Sequence, residues 1–267
     1  MSDSFEKEDH APRQQATCQF CPGRESQTPP EIESIRPQHT LPNTPGWSVR
    51  VIPNKFPAFV EEGQNQVRSY VPEEGFYLAK PAIGGHDVIV ITEHSQRLPD
   101  FNQDLFNDLL HSIQRRYQYY RNLPAIEYVM MIYNHGEAAA ASINHPHAQI
   151  FASSIVPNHI LKEKHGSERY YEISGRCVYC EMIDHERSEK VRWLVENEDF
   201  VMFTFFASRF PFEIWVLPKE HQSLFESATT KQIASFASIL QEGFKMLNMT
   251  LHDPALNFFI HSLPTTS

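Results

Sequence analysis

The feature that most constrains this chain is a set of chemistry-bearing residues repeated at a fixed offset. All four cysteines fall in two pairs, Cys18-Gln19-Phe20-Cys21 and Cys177-Val178-Tyr179-Cys180. Each pair is followed by a histidine that closes a strand-like run. These are His94 in Glu93-His94-Ser95 and His221 in Glu220-His221-Gln222, 127 positions apart (221 − 94). The helical pattern after each histidine keeps that offset, and so does the run Met130–Tyr133 with its counterpart Asn257–Ile260. The cysteine pairs are 159 apart (177 − 18), which leaves about 32 additional residues (159 − 127) in the opening loop of the first copy. Self-similarity of this kind marks a repeated structural unit. It predicts an α+β chain made of two tandem units.

The hydrophobic periodicity fills in the elements. Leu105, Leu109, Ile113 and Tyr117 recur four apart, with Phe106 and Leu110 beside them, which predicts a helix over Asp104–Arg121. Lys231–Leu247 reads the same way through Ile233, Phe236, Leu240, Phe244 and Leu247. Strands are predicted by β-branched and aromatic content at Trp47–Pro53, Gly75–Ala79, Asp87–Ile91, Tyr128–Tyr133 and Gln149–Ala152. The second copy adds Trp193–Asn197, Phe200–Phe206, Phe212–Leu217 and Asn257–His261. Residues 22–46, rich in Pro, Ser, Thr and Glu, read as a long loop. Residues 1–17 read as a disordered polar leader, 18–160 as the first unit and 161–267 as a second unit shortened at its end.

Charge and composition exclude some functions. The net charge is −10, which argues against a dedicated nucleic-acid binder, because phosphate contacts need clustered Lys and Arg. A small phosphorylated ligand needs only a few local donors. No run approaches the roughly 18 apolar residues that span a bilayer. The first twenty residues also lack a secretory apolar segment. The expected location is therefore the cytoplasm, with no membrane partner.

In a reducing compartment, paired Cys-x-x-Cys motifs read as metal sites before disulfides. Zinc takes thiolates and imidazoles in a tetrahedron, and a Cys-x-x-Cys turn brings two thiolates to one ion. Cys18, Cys21 and His94 form one candidate set, with His145 the best fourth member. Cys177, Cys180 and His221 form the other. The competing explanation is two pairs of buried core cysteines, which the ordered repetition disfavours.

The run His145-Pro146-His147-Ala148-Gln149 adds chemistry. Residues alternate sides in an extended segment, so His145, His147 and Gln149 face the same way. A neutral imidazole attacks phosphorus and leaves again from a phosphoramidate once reprotonated. Gln149 is placed to donate to a non-bridging phosphoryl oxygen. From the residues alone, a purely metal-binding role for this run stays open.

These motifs resemble the galactose-1-phosphate uridylyltransferase family of the histidine-triad superfamily, and most of all its ADP-glucose phosphorylase-like branch. The likeness runs from about Cys18 to His261. It includes Cys18-Gln-Phe-Cys21-Pro-Gly, Thr28-Pro-Pro-Glu-Ile, Val51-Ile-Pro-Asn-Lys-Phe-Pro-Ala and Gly85-His-Asp-Val-Ile-Val-Ile-Thr-Glu-His94. It continues through Tyr133-Asn-His-Gly136, the His-Pro-His-Ala-Gln run and Phe210-Pro-Phe-Glu-Ile-Trp-Val-Leu-Pro-Lys-Glu-His221. The resemblance implies two histidine-triad-like halves with antiparallel sheets, and a homodimer. It implies a ping-pong nucleotidyltransferase that moves UMP or AMP between a sugar nucleotide and a sugar 1-phosphate or phosphate. His147 would be the nucleophile and Gln149 the contact to the transferred phosphoryl group. Cys18, Cys21, His94 and His145 would hold a structural zinc. Asn54 would touch the nucleoside, and Asn134 and Ser142 the nucleotide phosphates. Histidine-triad hydrolases carry a third His where Gln149 stands, so the resemblance favours transfer over hydrolysis. A catalytically idle, zinc-stabilised nucleotide binder is the remaining alternative.

The chain departs from the family pattern in three places. Arg13 is the sole Arg before Cys18, where the family has an Arg-rich stretch. The repeat counterpart of His145 would fall near position 272 (145 + 127), so the second cluster is expected with three ligands and no evident fourth; His261, which aligns with Asn134 in the repeat, is a disfavoured substitute. The family's Gly-rich stretch reads Ala138-Ala-Ala-Ala141 here, which predicts a backbone less free to approach phosphate.

Overall fold

The computed structural model describes residues 18–37, 39–61 and 81–265. The expected leader, Arg13 and the expected strand Gly75–Ala79 lie outside these residues. In chain order the elements are β1 (Glu33–Ile35), β2 (Val49–Pro53), β3 (Gly84–Ile91), α1 (Gln103–Arg121), β4 (Tyr128–His135) and β5 (His147–Ser153). Then come α2 (Asn158–Ser174), α3 (Val178–Glu189), β6 (Trp193–Glu196), β7 (Phe200–Thr204), β8 (Ile214–Pro218), α4 (Thr230–Leu251) and β9 (Leu256–Ile260). The class is α+β, with antiparallel sheets and packed helices. One sheet has the order β1-β2-β3-β5-β4-β9, and the other is β6-β7-β8.

Both long helices start at side-chain caps. Asn102 accepts from the Leu105 N–H at 2.8 Å at the head of α1. Thr229 and Gln232 satisfy each other's backbone N–H groups at the head of α4. The apolar stripe of α1 is buried along its whole length, with Phe106, Leu110 and Ile113 fully enclosed. It packs with α4 against one face of the larger sheet, where Ala148, Ile150 and Ala152 of β5 meet it. Period-two alternation then sends His147 and Gln149 to the opposite face. There a second, smaller cluster of Phe20, Trp47, Ile52, Val88 and Val90 closes over the sheet.

The two copies meet at the β4–β9 ladder. Ile132 pairs with Phe259, which is its own repeat counterpart, 127 positions on (259 − 132). A local two-fold relation between the copies therefore passes between these two residues. The buried Tyr117 hydroxyl sits beside the junction, accepting from the Met131 N–H at 2.8 Å and donating to the Ile260 carbonyl at 3.0 Å.

Two expectations need correction. The segment 22–46 is not all loop, because β1 forms within it and pairs with β2. Buried Arg50 holds it, reaching Glu31 at 3.1 Å, while Arg36 reaches the same carboxylate at 2.6 Å. The region between β5 and β6 carries α2 and α3, which the periodicity did not announce. Helix α2 buries only Ile160 and exposes Tyr171 and Ile173, so it has no apolar stripe to read. It stops at Gly175, whose φ of 68° a residue with a Cβ adopts only with strain. No helix among the described residues is long and apolar enough to cross a membrane.

Candidate active site and metal centres

The first cysteine pair lies in a tight turn in which the Cys21 N–H bonds the Cys18 carbonyl at 3.3 Å. That turn brings both thiols to two rings arriving from elsewhere, His94 after the end of β3 and His145 just before β5. Cys18 Sγ lies 3.6 Å from His145 Nδ1, and Cys21 Sγ 3.2 Å from His94 Nδ1 and 3.8 Å from His145 Nδ1. The two Nδ1 atoms are 3.1 Å apart. A tetrahedral zinc with bonds of about 2.05 and 2.3 Å spaces its ligand atoms roughly 3.3 to 3.8 Å apart. The four atoms thus stand close to the corners of that tetrahedron, and His145 is the fourth side chain of a group that could hold a metal ion. His145 Nε2–H donates to the Ile91 carbonyl at 2.6 Å, which turns its Nδ1 lone pair into the cluster. Burial and the neighbouring Cys18 push the Cys21 thiol up to about 11, so this thiol would ionise near neutral pH only beside a cation.

The second cluster is more open. Cys177 stands at the N-cap of α3, Cys180 lies in its first turn, and Cys180 Sγ is 3.4 Å from His221 Nδ1. These three residues, with His221 exposed, form the other group of convergent ligands among the described residues. His261 is not its fourth member. Its Nδ1 pairs with Glu163 at 3.1 Å and its ring stacks on Phe259. The repeat places His261 at the end of β9, where that side chain reaches α2 rather than α3.

His147 opens β5 and is buried. Its Nδ1 lies 2.7 Å from the His145 carbonyl, which can only accept, so Nδ1 carries the proton and Nε2 keeps its lone pair. Burial pulls the ring below the ordinary imidazole value, partly opposed by that carbonyl. The ring is therefore neutral near pH 7, the form that attacks phosphorus. Phe20 packs edge-on against it at 5.4 Å between centroids.

The other expected residues lie along neighbouring strands and turns. Gln149 shares its face two positions along β5. Asn54 follows β2, and its Nδ2 lies 3.0 Å from His86 Nε2. Asn134 continues the β4 ladder in which Tyr133 pairs with Ala148, and it accepts from Asn257 across the copies at 2.8 Å. Ser142 is exposed in the turn before β5. In that turn Ala140 adopts the left-handed conformation at φ 62°. Reasoning from sequence missed His86, whose Nε2 lies 2.9 Å from Gln149 Oε1. Its position two residues before Val88 on β3, on the same face, was the available signal.

Fold and site together define a histidine-triad-type protein with tandem α+β halves. The chain belongs to the galactose-1-phosphate uridyl transferase family: residues 2–157 match the description "Galactose-1-phosphate uridyl transferase, N-terminal domain". An ADP-glucose phosphorylase of Arabidopsis thaliana is 31% identical over 250 residues, covering 93% of this chain and 68% of the relative. A galactose-1-phosphate uridylyltransferase of Thermotoga maritima is 28% identical over 170 residues, covering 63% of this chain and 53% of the relative. The crystal structure of an ADP-glucose phosphorylase from Arabidopsis thaliana with bound ADP-glucose superposes with a TM-score of 0.82 at 28% identity. That match covers 97% of this chain and 76% of the other. The chain thus spans about half to two thirds of the length of these two curated relatives.

Proposed function

We propose that this protein is a nucleotidyltransferase that moves UMP or AMP between a sugar nucleotide, such as UDP-glucose or ADP-glucose, and a sugar 1-phosphate or phosphate. The observation that carries this is the tautomer of His147. Its Nδ1–H is committed to the His145 carbonyl, so Nε2 is the atom with a free lone pair. In the first half-reaction Nε2 attacks the α-phosphorus of the sugar nucleotide. The P–N bond forms, the bond to the bridging oxygen breaks, and sugar 1-phosphate leaves with that electron pair. In the second, an oxygen of the acceptor phosphate attacks the same phosphorus and the imidazole departs. Gln149 donates to a non-bridging oxygen as its charge grows. It cannot act as the acid that a third histidine would be, so water is a poor acceptor. Asn54, Asn134 and Ser142 are the proposed nucleoside and phosphate contacts.

Zinc is the metal that the donor sets fit, held by Cys18, Cys21, His94 and His145 and, with three protein ligands, by Cys177, Cys180 and His221. When bound it cross-links the turn, β3 and β5. The tandem units at 18–160 and 161–267, the homodimer, the absence of nucleic-acid partners and a cytoplasmic setting in galactose and related carbohydrate metabolism belong to the same proposal.

Intact-mass spectrometry after incubation with UDP-glucose, and separately with ADP-glucose, tests it. Wild type gains one UMP or AMP, phosphate or a sugar phosphate removes it, and His147→Ala gains nothing. An unlabelled wild type whose melting temperature rises with sugar nucleotide would instead mark a nucleotide-binding protein and overturn the transferase proposal.

A further inference from the structure

Gln149 can assist phosphoryl transfer only if its amide presents the NH2 group, and an amide turned over presents an oxygen to oxygens. The orientation is set by a chain of hydrogen bonds that begins at the backbone. The Ala58 N–H points at His86 Nδ1 at 3.1 Å. A backbone N–H is always a donor, so Nδ1 is the bare nitrogen and neutral His86 carries its proton on Nε2. Nε2 lies 2.9 Å from Gln149 Oε1, which accepts that proton's hydrogen bond. Asn54 Oδ1 accepts from the Phe56 N–H at 2.9 Å, and its NH2 lies 3.0 Å from His86 Nε2. A protonated Nε2 cannot accept from that NH2, so its N–H is left to Gln149 Oε1. Phe151, the cross-strand partner of His86, holds the imidazole from one side, with ring centroids 4.1 Å apart. Burial keeps the ring below its ordinary value and therefore uncharged. With Oε1 committed, the Gln149 NH2 is the end left over, and it has no hydrogen-bond partner among the described residues.

We propose that His86 is a positioning residue: its Nε2–H fixes the Gln149 amide with NH2 toward the phosphoryl group that His147 receives. The proposal rests on the reading of His147 as the nucleotidyl acceptor. It does not make His86 an acid or a base, because its proton stays on Nε2 throughout.

The test separates the two ring nitrogens. In His86→Asn, Oδ1 can replace Nδ1 and still accept from Ala58, but nothing replaces the Nε2–H donor. In His86→Gln, the amide nitrogen sits near the Nε2 position and restores it. Misplacing one donor to a developing oxyanion slows a reaction by about 10²-fold or more. Single-turnover labelling at saturating sugar nucleotide is therefore expected to slow by roughly 10²-fold in His86→Asn. The half-saturating concentration is expected to stay within about threefold, and His86→Gln to recover most of the rate. In a Gln149→Ala background, His86→Asn should add no further loss, since both act through one group. Wild-type labelling with equally fast His86→Asn would overturn the proposal, and so would equal damage from Asn and Gln. A wild type that never labels defeats the transferase reading instead. Nitrogen-15 NMR of the folded wild type then decides the positioning role alone, with the His86 signals identified by their loss in His86→Gln. The Nε2–H tautomer supports it and the Nδ1–H tautomer sinks it.

Discussion

The ring of His147 donates from Nδ1 to the backbone carbonyl of His145 at 2.7 Å, while the ring of His145 belongs to the four-ligand cluster. One residue thus belongs to the candidate metal cluster with its side chain and touches the proposed nucleophile with its backbone. Whatever fixes the His145 ring also fixes the carbonyl that orients His147. The candidate metal cluster and the proposed reactive imidazole are mechanically one unit.

If the cluster holds the proposed zinc, its removal should loosen both stability and chemistry. A ligand present at 100 to 1,000 times its dissociation constant contributes about 3 to 4 kcal/mol to folding. Strong chelation, or Cys18→Ser, is expected to lower stability by about that amount and to slow His147 labelling in parallel. Cys177→Ser should have a smaller effect, because its cluster has three ligands and exposes His221. Metal analysis with thermal denaturation checks both. An unchanged melting temperature after complete metal removal would refute the clamp.

The pH profile of labelling follows from the burial of His147. Burial lowers its pKa from the ordinary 6.5, and the His145 carbonyl only partly offsets this. The attacking form is the neutral ring, so the labelling rate should be flat from pH 7 upward. It should fall only below pH 6.5, toward tenfold per unit once the ring is protonated. Single-turnover labelling across pH 5 to 8 measures it. A midpoint at or above pH 7 would show that the ring is neither buried nor neutral as described.

The Tyr117 hydroxyl joins the copies by bonding Met131 on β4 and Ile260 on β9. In Tyr117→Phe both backbone groups lose this partner inside the core. Buried polar groups left unpaired cost about 1 to 3 kcal/mol. Urea unfolding is expected to show a loss of about 2 kcal/mol. A loss below about 0.5 kcal/mol would mean that the β4–β9 ladder closes without the tyrosine.

Much of this architecture was legible because its signals are local. The offset of 127 between His94 and His221 reappears as the direct pairing of Ile132 with Phe259. Helices α1 and α4 announced themselves by apolar stripes. Cys18, Cys21, His94 and His145 were read from residue type and order. Other parts were not legible, for physical reasons. Helices α2 and α3 lie largely on the surface, so their sequences carry no buried stripe. Strand β1 is three residues long and is held by Arg50 and Glu31 from outside itself. The pairing of β9 with β4 is a contact between distant segments that periodicity cannot register. His86 looked like an ordinary strand residue because its role depends on Ala58 and Gln149, brought to it only by the fold.

The turn between β4 and β5 shows how the alanine-rich stretch meets its backbone requirement. Ala140 adopts φ 62° and closes the turn by donating its N–H to Glu137 at 2.9 Å. The left-handed conformation costs a residue with a Cβ about 1 to 2 kcal/mol, against which glycine's extra unfolded-state entropy weighs about 0.5 to 1. Ala140→Gly is therefore expected to stabilise the protein by about 0.5 to 1 kcal/mol. The same turn carries the exposed Ser142, and Asn257 donates to its Ala139 carbonyl at 3.1 Å. Relieving Ala140 should keep that contact and leave the turn's path unchanged, so His147 labelling should stay within about twofold of wild type. Destabilisation on placing glycine there, measured by urea or thermal unfolding, would show that Ala140 does not hold the left-handed conformation in solution.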